Sequence, residues 1–309
     1  MDDQATRLRT LVEGKNTQEN IYSSEMPSWQ AGCQAADYRP PTKEARVIAV
    51  TSGKGGVGKT NLVVNLAIAM GKRGRRVVVV DADLGTANVD VLLGTSSRQA
   101  LMSLVHDGVE LEDVLIRGPY GVSYISGGSG MEHAGELSDE QRQVIFDKLA
   151  GCDEWADIIL VDTGAGVGKN VLDFIMASDE IVLVTTPEPT ALTDGYAVLK
   201  SYCRLGAQQP IRLVVNRVFD IDESRETASK LICTADKFLH MKLESLGFVL
   251  DDANMTRSVR KQVPIMAEYP NSLASKCIDS LANTLLTGRK QRVKTGWKGF
   301  LRKFFHNVH

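Results

Sequence analysis

The chain has 309 residues, 43% of them hydrophobic and only 6% aromatic, which is enough to bury one sizeable core and favours a helix-covered parallel sheet over an all-β sandwich. A formal net charge of −2 hides an asymmetry. Seven of the 36 Lys and Arg residues lie in 288–309, which has no acidic residue, leaving 29 basic against 38 acidic side chains in 1–287. An acidic body argues against a broad nucleic-acid footprint, and a short basic tail suggests an anionic surface.

In chain order, residues 2–12 (DDQATRLRTLV) start acidic, place Leu8, Leu11 and Val12 at helical spacing and meet Gly14, which predicts a short helix within 1–14. Residues 15–45 are polar, carry Pro27, Pro40 and Pro41 and show no sustained periodicity, which predicts a flexible linker. The folded body is expected over 46–287. Within it, strand-length apolar runs stand at 47–50, 77–80, 122–125, 158–161, 181–184 and 212–215, with a weaker one at 246–250. Helical patterns fall between them near 60–72, 139–149, 170–177, 191–205, 224–240 and 271–286. This alternation predicts an α/β fold with a doubly wound, mostly parallel sheet. Residues 288–309 are a separate basic tail.

Gly53, Lys54, Gly55, Gly56, Val57, Gly58, Lys59 and Thr60 follow the strand VIAVTS directly and open a helix, which is the setting a P-loop requires. Glycines let backbone N–H groups turn inward on phosphate oxygens, Lys59 reaches the β- and γ-phosphates, and Thr60 offers a hydroxyl to Mg²⁺. Lys54 is a second lysine that an ordinary P-loop does not need. The run VVVVDADLGTANVD at 77–90 ends an apolar strand in Asp81 and Asp83, at the edge where carboxylates sit beside a nucleotide. For Asp81, a loop-capping role is the alternative. IILVDTGAG at 158–166 ends a second such strand in Asp162, placed to hold Mg²⁺ through water. Asn216 and Arg217 close a third, and an asparagine can both donate to and accept from an adenine edge.

These four motifs, in this order over 46–286, resemble the deviant Walker A ATPases of the MinD/ParA superfamily. The resemblance implies a P-loop NTPase of MinD type that hydrolyses ATP with Mg²⁺ and forms an ATP-dependent homodimer, the lysine at the position of Lys54 reaching the partner's nucleotide. It implies that Asp83 orients the attacking water and shares the metal site with Thr60 and Asp162, so that Lys54, Lys59, Asp83 and Asp162 form the catalytic set. Residues 53–61, Asn61 included, would bind ATP together with Asn216 and Arg217. Three positions depart from the family pattern. Asn61 stands where many members have a second threonine, Gly164 where a proline often follows the Walker B aspartate, and Leu250 where a proline often faces the base.

At the C-terminal end, Trp297, Phe300, Leu301, Phe304, Phe305 and Val308 share one helical face, with Lys298, Arg302 and Lys303 around it. Such a helix is too short to span a bilayer and suits an anionic membrane surface; docking on the body's own core is the alternative. Burying an apolar side chain contributes about 1.5–3 kcal/mol, against about 1–2 kcal/mol to order each residue, so one tail binds weakly. Two tails on a dimer gain roughly 10²–10⁴ in avidity. At the other end, Asp3, Gln4, Ala5, Leu8 and Arg9 look like the DQAxxLR activator helix of the FlhG-type (FleN, YlxH) regulators of flagellar number. That resemblance implies stimulation of an FlhF-type signal-recognition-particle GTPase and contacts with flagellar switch proteins or a transcription regulator.

Five cysteines, Cys33, Cys152, Cys203, Cys233 and Cys277, are scattered without a C-x-x-C pair and read as reduced thiols. No segment approaches the roughly 20 apolar residues of a membrane span, and no secretory pattern opens the chain. The expected location is the cytoplasm, with reversible association at the inner membrane face and no direct nucleic-acid partner. The rivals are a cell-division MinD, a ParA-type DNA partition protein and an iron–sulfur reductase resembling the nitrogenase iron protein.

Overall fold

The computed structural model describes residues 44–83, 88–95, 97, 99–128 and 138–288. Eight strands, β1 (Arg46–Ser52), β2 (Val77–Ala82), β3 (Leu115–Arg117), β4 (Val122–Ile125), β5 (Ile158–Ala165), β6 (Glu180–Thr185), β7 (Ile211–Val218) and β8 (Leu243–Leu250), form one sheet in the order β3-β4-β2-β5-β1-β6-β7-β8. Every neighbouring pair is parallel except β3–β4. The doubly wound sheet expected from the sequence is therefore present, with β3 as an unforeseen antiparallel edge. Its three residues are only partly covered, so the chain there lacks the long apolar run that marks the central strands.

Helices cover both faces. They are α1 (Lys59–Gly71), α2 (Asn88–Leu93), α3 (Leu111–Val114), α4 (Asp139–Leu149), α5 (Cys152–Trp155), α6 (Lys169–Ala177), α7 (Pro189–Arg204), α8 (Ile221–Leu239), α9 (Ala253–Lys261), α10 (Ile265–Glu268) and α11 (Leu273–Thr287). Strand side chains alternate between faces, so neighbouring residues of one strand enter different cores. Ile48, Val77, Val79, Leu160, Val182 and Val214 pack with α1 and α11, whereas Val47, Val78, Val80, Ile159 and Val161 pack toward α4. Ala49, Ile181, Leu183, Leu213 and Val215 meet α7 and α8. Each fully buried Val, Leu or Ile contributes about 1.5–3 kcal/mol, which is why runs such as VVVV become central strands.

Local signals set the helix ends. Pro189 opens α7 at its first turn, and the Asp220, Asp252 and Ser272 side chains accept backbone N–H groups at the starts of α8, α9 and α11. The predicted helix within 1–14, with Asp3, Gln4, Ala5, Leu8 and Arg9, lies outside the described residues. So does the tail face of Trp297, Phe300, Leu301, Phe304 and Phe305 with Lys298, Arg302 and Lys303.

Candidate nucleotide site

Parallel strands aim their C-terminal ends at one edge, and the chain's charged motifs follow β1, β2, β5 and β7 there. β1 lies between β5 and β6, so the loop it feeds opens where connections diverge to opposite sides of the sheet. The loop wraps the start of α1, whose N-cap is Gly58 at φ 89°, a left-handed conformation that favours glycine. No side chain caps α1 and no acidic residue occupies its first turn, which leaves its first backbone N–H groups and its dipole open to an anion. Gly53 is needed for a different reason, since a Cβ there would lie 2.1 Å from the carbonyl carbon of Asp194 in α7.

Lys59 points across the loop and donates to Asp162 Oδ1 at 2.6 Å, with both side chains almost fully buried. Burial pushes the Asp162 carboxyl up, while Lys59 and the Thr60 hydroxyl pull it down. Its other oxygen, Oδ2, is buried with no hydrogen-bond partner. In the β2–β5 register Asp81 stands directly beside Asp162, and burial together with that neighbouring carboxylate pushes Asp81 up to about 8. Asp81 accepts the Asp83 N–H at 3.2 Å and the Val89 N–H at 3.4 Å, which gives it the capping role. Asp83 itself is half-buried, receives the Asn88 amide at 3.3 Å, and has its Oδ1 where a Cβ on Gly164 would come within 3.3 Å. A side chain at position 164 would therefore press on the Asp83 carboxylate.

Two carboxylates held against burial, one lysine, a hydroxyl and an uncapped helix end are the donor set that a triphosphate with a hard divalent cation requires. Thr60 and the spare oxygen of Asp162 would hold Mg²⁺ there, with Asp83 beside them. Bound Mg²⁺ would offset charge on the phosphate oxygens.

Lys54 does not face this set. Its ammonium donates to Glu188 Oε2 and Thr190 Oγ1, both at 2.9 Å, at the start of α7. This hydrogen bond holds the exposed Glu188 carboxyl below its ordinary range. Asn216 is buried at the end of β7 and donates through Nδ2 to the Val57 carbonyl at 2.7 Å, fastening the P-loop to the neighbouring strand. With Arg217, Asn61 and Leu250 it lines a cleft of about 610 Å³ beside Gly58. The far wall comes from Met255, Thr256 and Arg260 on α9, a helix that the sequence pattern does not show. In α9 only Met255 and Val259 turn apolar side chains to the core, and both are only partly buried, so the stripe is too short to stand out in the sequence.

Residues 43–286 match the ParA family, described as NUBPL iron-transfer P-loop NTPase. The chain is 39% identical to the antiactivator FleN of Pseudomonas aeruginosa over 237 residues, covering 77% of this chain and 85% of that protein. It is 33% identical to the flagellum site-determining protein YlxH of Helicobacter pylori over 308 residues, 98% of each chain. Among solved structures, the septum site-determining protein MinD of Pyrococcus horikoshii, complexed with Mg-ADP, superposes with a TM-score of 0.66 at 26% identity, covering 79% of this chain and 98% of that one.

Proposed function

The chain belongs to the ParA/MinD family of P-loop NTPases and is an ATPase, and from that premise we propose that it is a dimerising switch that sets flagellar number and placement at the membrane. The observation that carries this reading is the similarity to YlxH, which runs through 98% of both chains and so takes in the two ends that lie beyond the ATPase body. A MinD-like body alone would serve cell division equally well; the DQAxxLR segment of Asp3, Gln4, Ala5, Leu8 and Arg9 favours the flagellar reading.

In this reading ATP binds over residues 53–61, with the base in the cleft beside Asn216 and Arg217. Lys54 leaves Glu188 and Thr190 to reach the nucleotide of a second copy, while Lys59 exchanges Asp162 for phosphate. Asp83 orients the attacking water. Dimerisation pairs two basic amphipathic tails on an anionic bilayer, and hydrolysis releases them. Gln4 acts on an FlhF-type GTPase, and flagellar switch proteins or a transcription regulator are further partners.

Light scattering with ATP tests the switch: Lys54→Ala is expected to remain monomeric while still binding nucleotide, and an unchanged dimer would remove Lys54 from the interface. The flagellar arm is tested by GTP hydrolysis of the cognate FlhF-type enzyme with a peptide of residues 1–20. Stimulation that Gln4→Ala abolishes is the expected result, and an active GTPase indifferent to the peptide returns the protein to a cell-division role.

A further inference from the structure

Asp83 directly follows β2, and α2 begins five residues later at Asn88. Val89, Leu92 and Leu93 already anchor it by apolar burial. Yet Asp90, in the same helix, is only 6% exposed. Its Oδ2 accepts the Ser126 hydroxyl at 2.6 Å and the Ser97 hydroxyl at 2.8 Å, and its backbone carbonyl accepts the Thr95 N–H at 3.0 Å. The Thr95 hydroxyl in turn meets the Tyr124 phenol at 2.5 Å. Burying a carboxylate is costly and a fourth apolar side chain would hold α2 as firmly, so packing does not account for an aspartate here. A hydrogen-bonded carboxylate adds direction, fixing where α2 sits along β4 rather than merely that it is buried.

Ser126 is the other half of the tie. It follows β4, is fully buried, and its oxygen also accepts the Gly128 N–H at 3.2 Å. Between them Gly127 is pressed against the end of β2, where a Cβ would stand 3.0 Å from the Asp81 carbonyl oxygen and 3.2 Å from that of Asp83. The stretch 126–128 therefore touches both ends of the connection that carries Asp83: it binds α2 through Asp90 and backs the Asp81–Asp83 backbone through Gly127. Asp81 closes the frame by accepting N–H groups from each end.

We propose that Asp90 and Ser126 are positioning residues of ATP hydrolysis, a latch that fixes Asp83 against the reacting water without touching nucleotide. The proposal rests on the reading of Asp83 as the water-orienting group. A latch of this kind acts on the rate of the chemical step and spares ground-state binding, because misplacing an orienting group by about 1 Å costs on the order of 10²-fold in rate.

Single-turnover hydrolysis by the full-length chain at saturating ATP and Mg²⁺, together with the Kd of a fluorescent non-hydrolysable ATP analogue, separates the two. Ser126→Ala and Asp90→Asn are each expected to slow hydrolysis by about 10- to 100-fold while the Kd stays within about threefold, and neither should slow it further in an Asp83→Asn background. A rate that falls only in step with affinity, or a full additional loss on top of Asp83→Asn, would make the cluster merely structural and overturn the latch. So would unchanged turnover in Ser126→Ala, the variant that leaves α2 and its carboxylate in place. Undiminished hydrolysis by Asp83→Asn alone would instead bring down the reading of Asp83, and the latch with it.

Discussion

At the edge of the sheet opposite the P-loop, Glu180 lies between two arginines, paired with Arg46 and 2.8 Å from Arg212, and Arg46 also donates to the Leu285 carbonyl at 2.6 Å. At the nucleotide edge the proportions reverse: Asp81 and Asp162 stand side by side with Lys59 as the ammonium on Asp162. The first arrangement ties β1, β6 and β7 to the end of α11. The second sets two buried carboxylates against a single ammonium, and Asp81 is pushed up to about 8. At one edge two guanidinium groups share one carboxylate, whereas at the other two carboxylates share one ammonium and burial works against their charge.

The contrast is broken most directly at Glu180, whose side chain is 5% exposed. Glu180→Ala leaves two largely buried guanidinium groups without their anion, and an unfolding free energy lower by about 3–5 kcal/mol in urea is expected. Nucleotide binding by the folded fraction should be unaltered. A loss below about 1 kcal/mol would mean that the arginines find water and that this edge is no lock.

Asp162→Asn is the converse. Hydrolysis is expected to fall at least about 10²-fold, the usual scale for removing one preorganised electrostatic group. The nucleotide-free protein should lose less stability than Glu180→Ala does, because the deleted charge was itself disfavoured by burial and the asparagine keeps an oxygen that can accept from the Lys59 ammonium. A stability loss matching that of Glu180→Ala would erase the distinction between the edges.

How much of each edge was legible in the sequence follows from the range of the forces involved. The central strands were readable because VVVV, IILV and IVLV are buried on both faces, and the site motifs because each sits within a few residues of a strand end. The bond from Lys54 to Glu188 spans 134 residues, that from Asn216 to Val57 spans 159, and that from Ser126 to Asp90 spans 36. No local pattern announces such pairs. The Arg46–Glu180–Arg212 group was invisible for the same reason, since each member stands at the start of an apolar run and reads there as an ordinary solvated flank. Leu115–Arg117 and Ala253–Lys261 escaped because they are short, the first with three residues and the second with only Met255 and Val259 on its core-facing side.

A milder test of the same comparison lies on the rim of the opposite edge, where Arg73 at the end of α1 grips Asp279 of α11 with two bonds of 2.6 and 2.7 Å. The Arg73 hydrogen bond holds the Asp279 carboxyl below the ordinary value of 3.8, so the folded chain favours its ionised form. A depressed carboxyl adds stability above its unfolded pKa and loses it as pH falls through the folded value. Both side chains are partly exposed, at 29% and 46%, so solvent and salt limit the gain. Asp279→Asn is expected to cost about 0.2–1 kcal/mol at pH 7, less in high salt, with the gap between wild type and variant closing as pH drops below about 4. Melting temperatures from pH 7 to pH 3 read this directly. A gap that widens in acid would reverse the sign and place the stabilising charge elsewhere, whereas a closing gap would show that even the exposed pairs at this edge serve the fold.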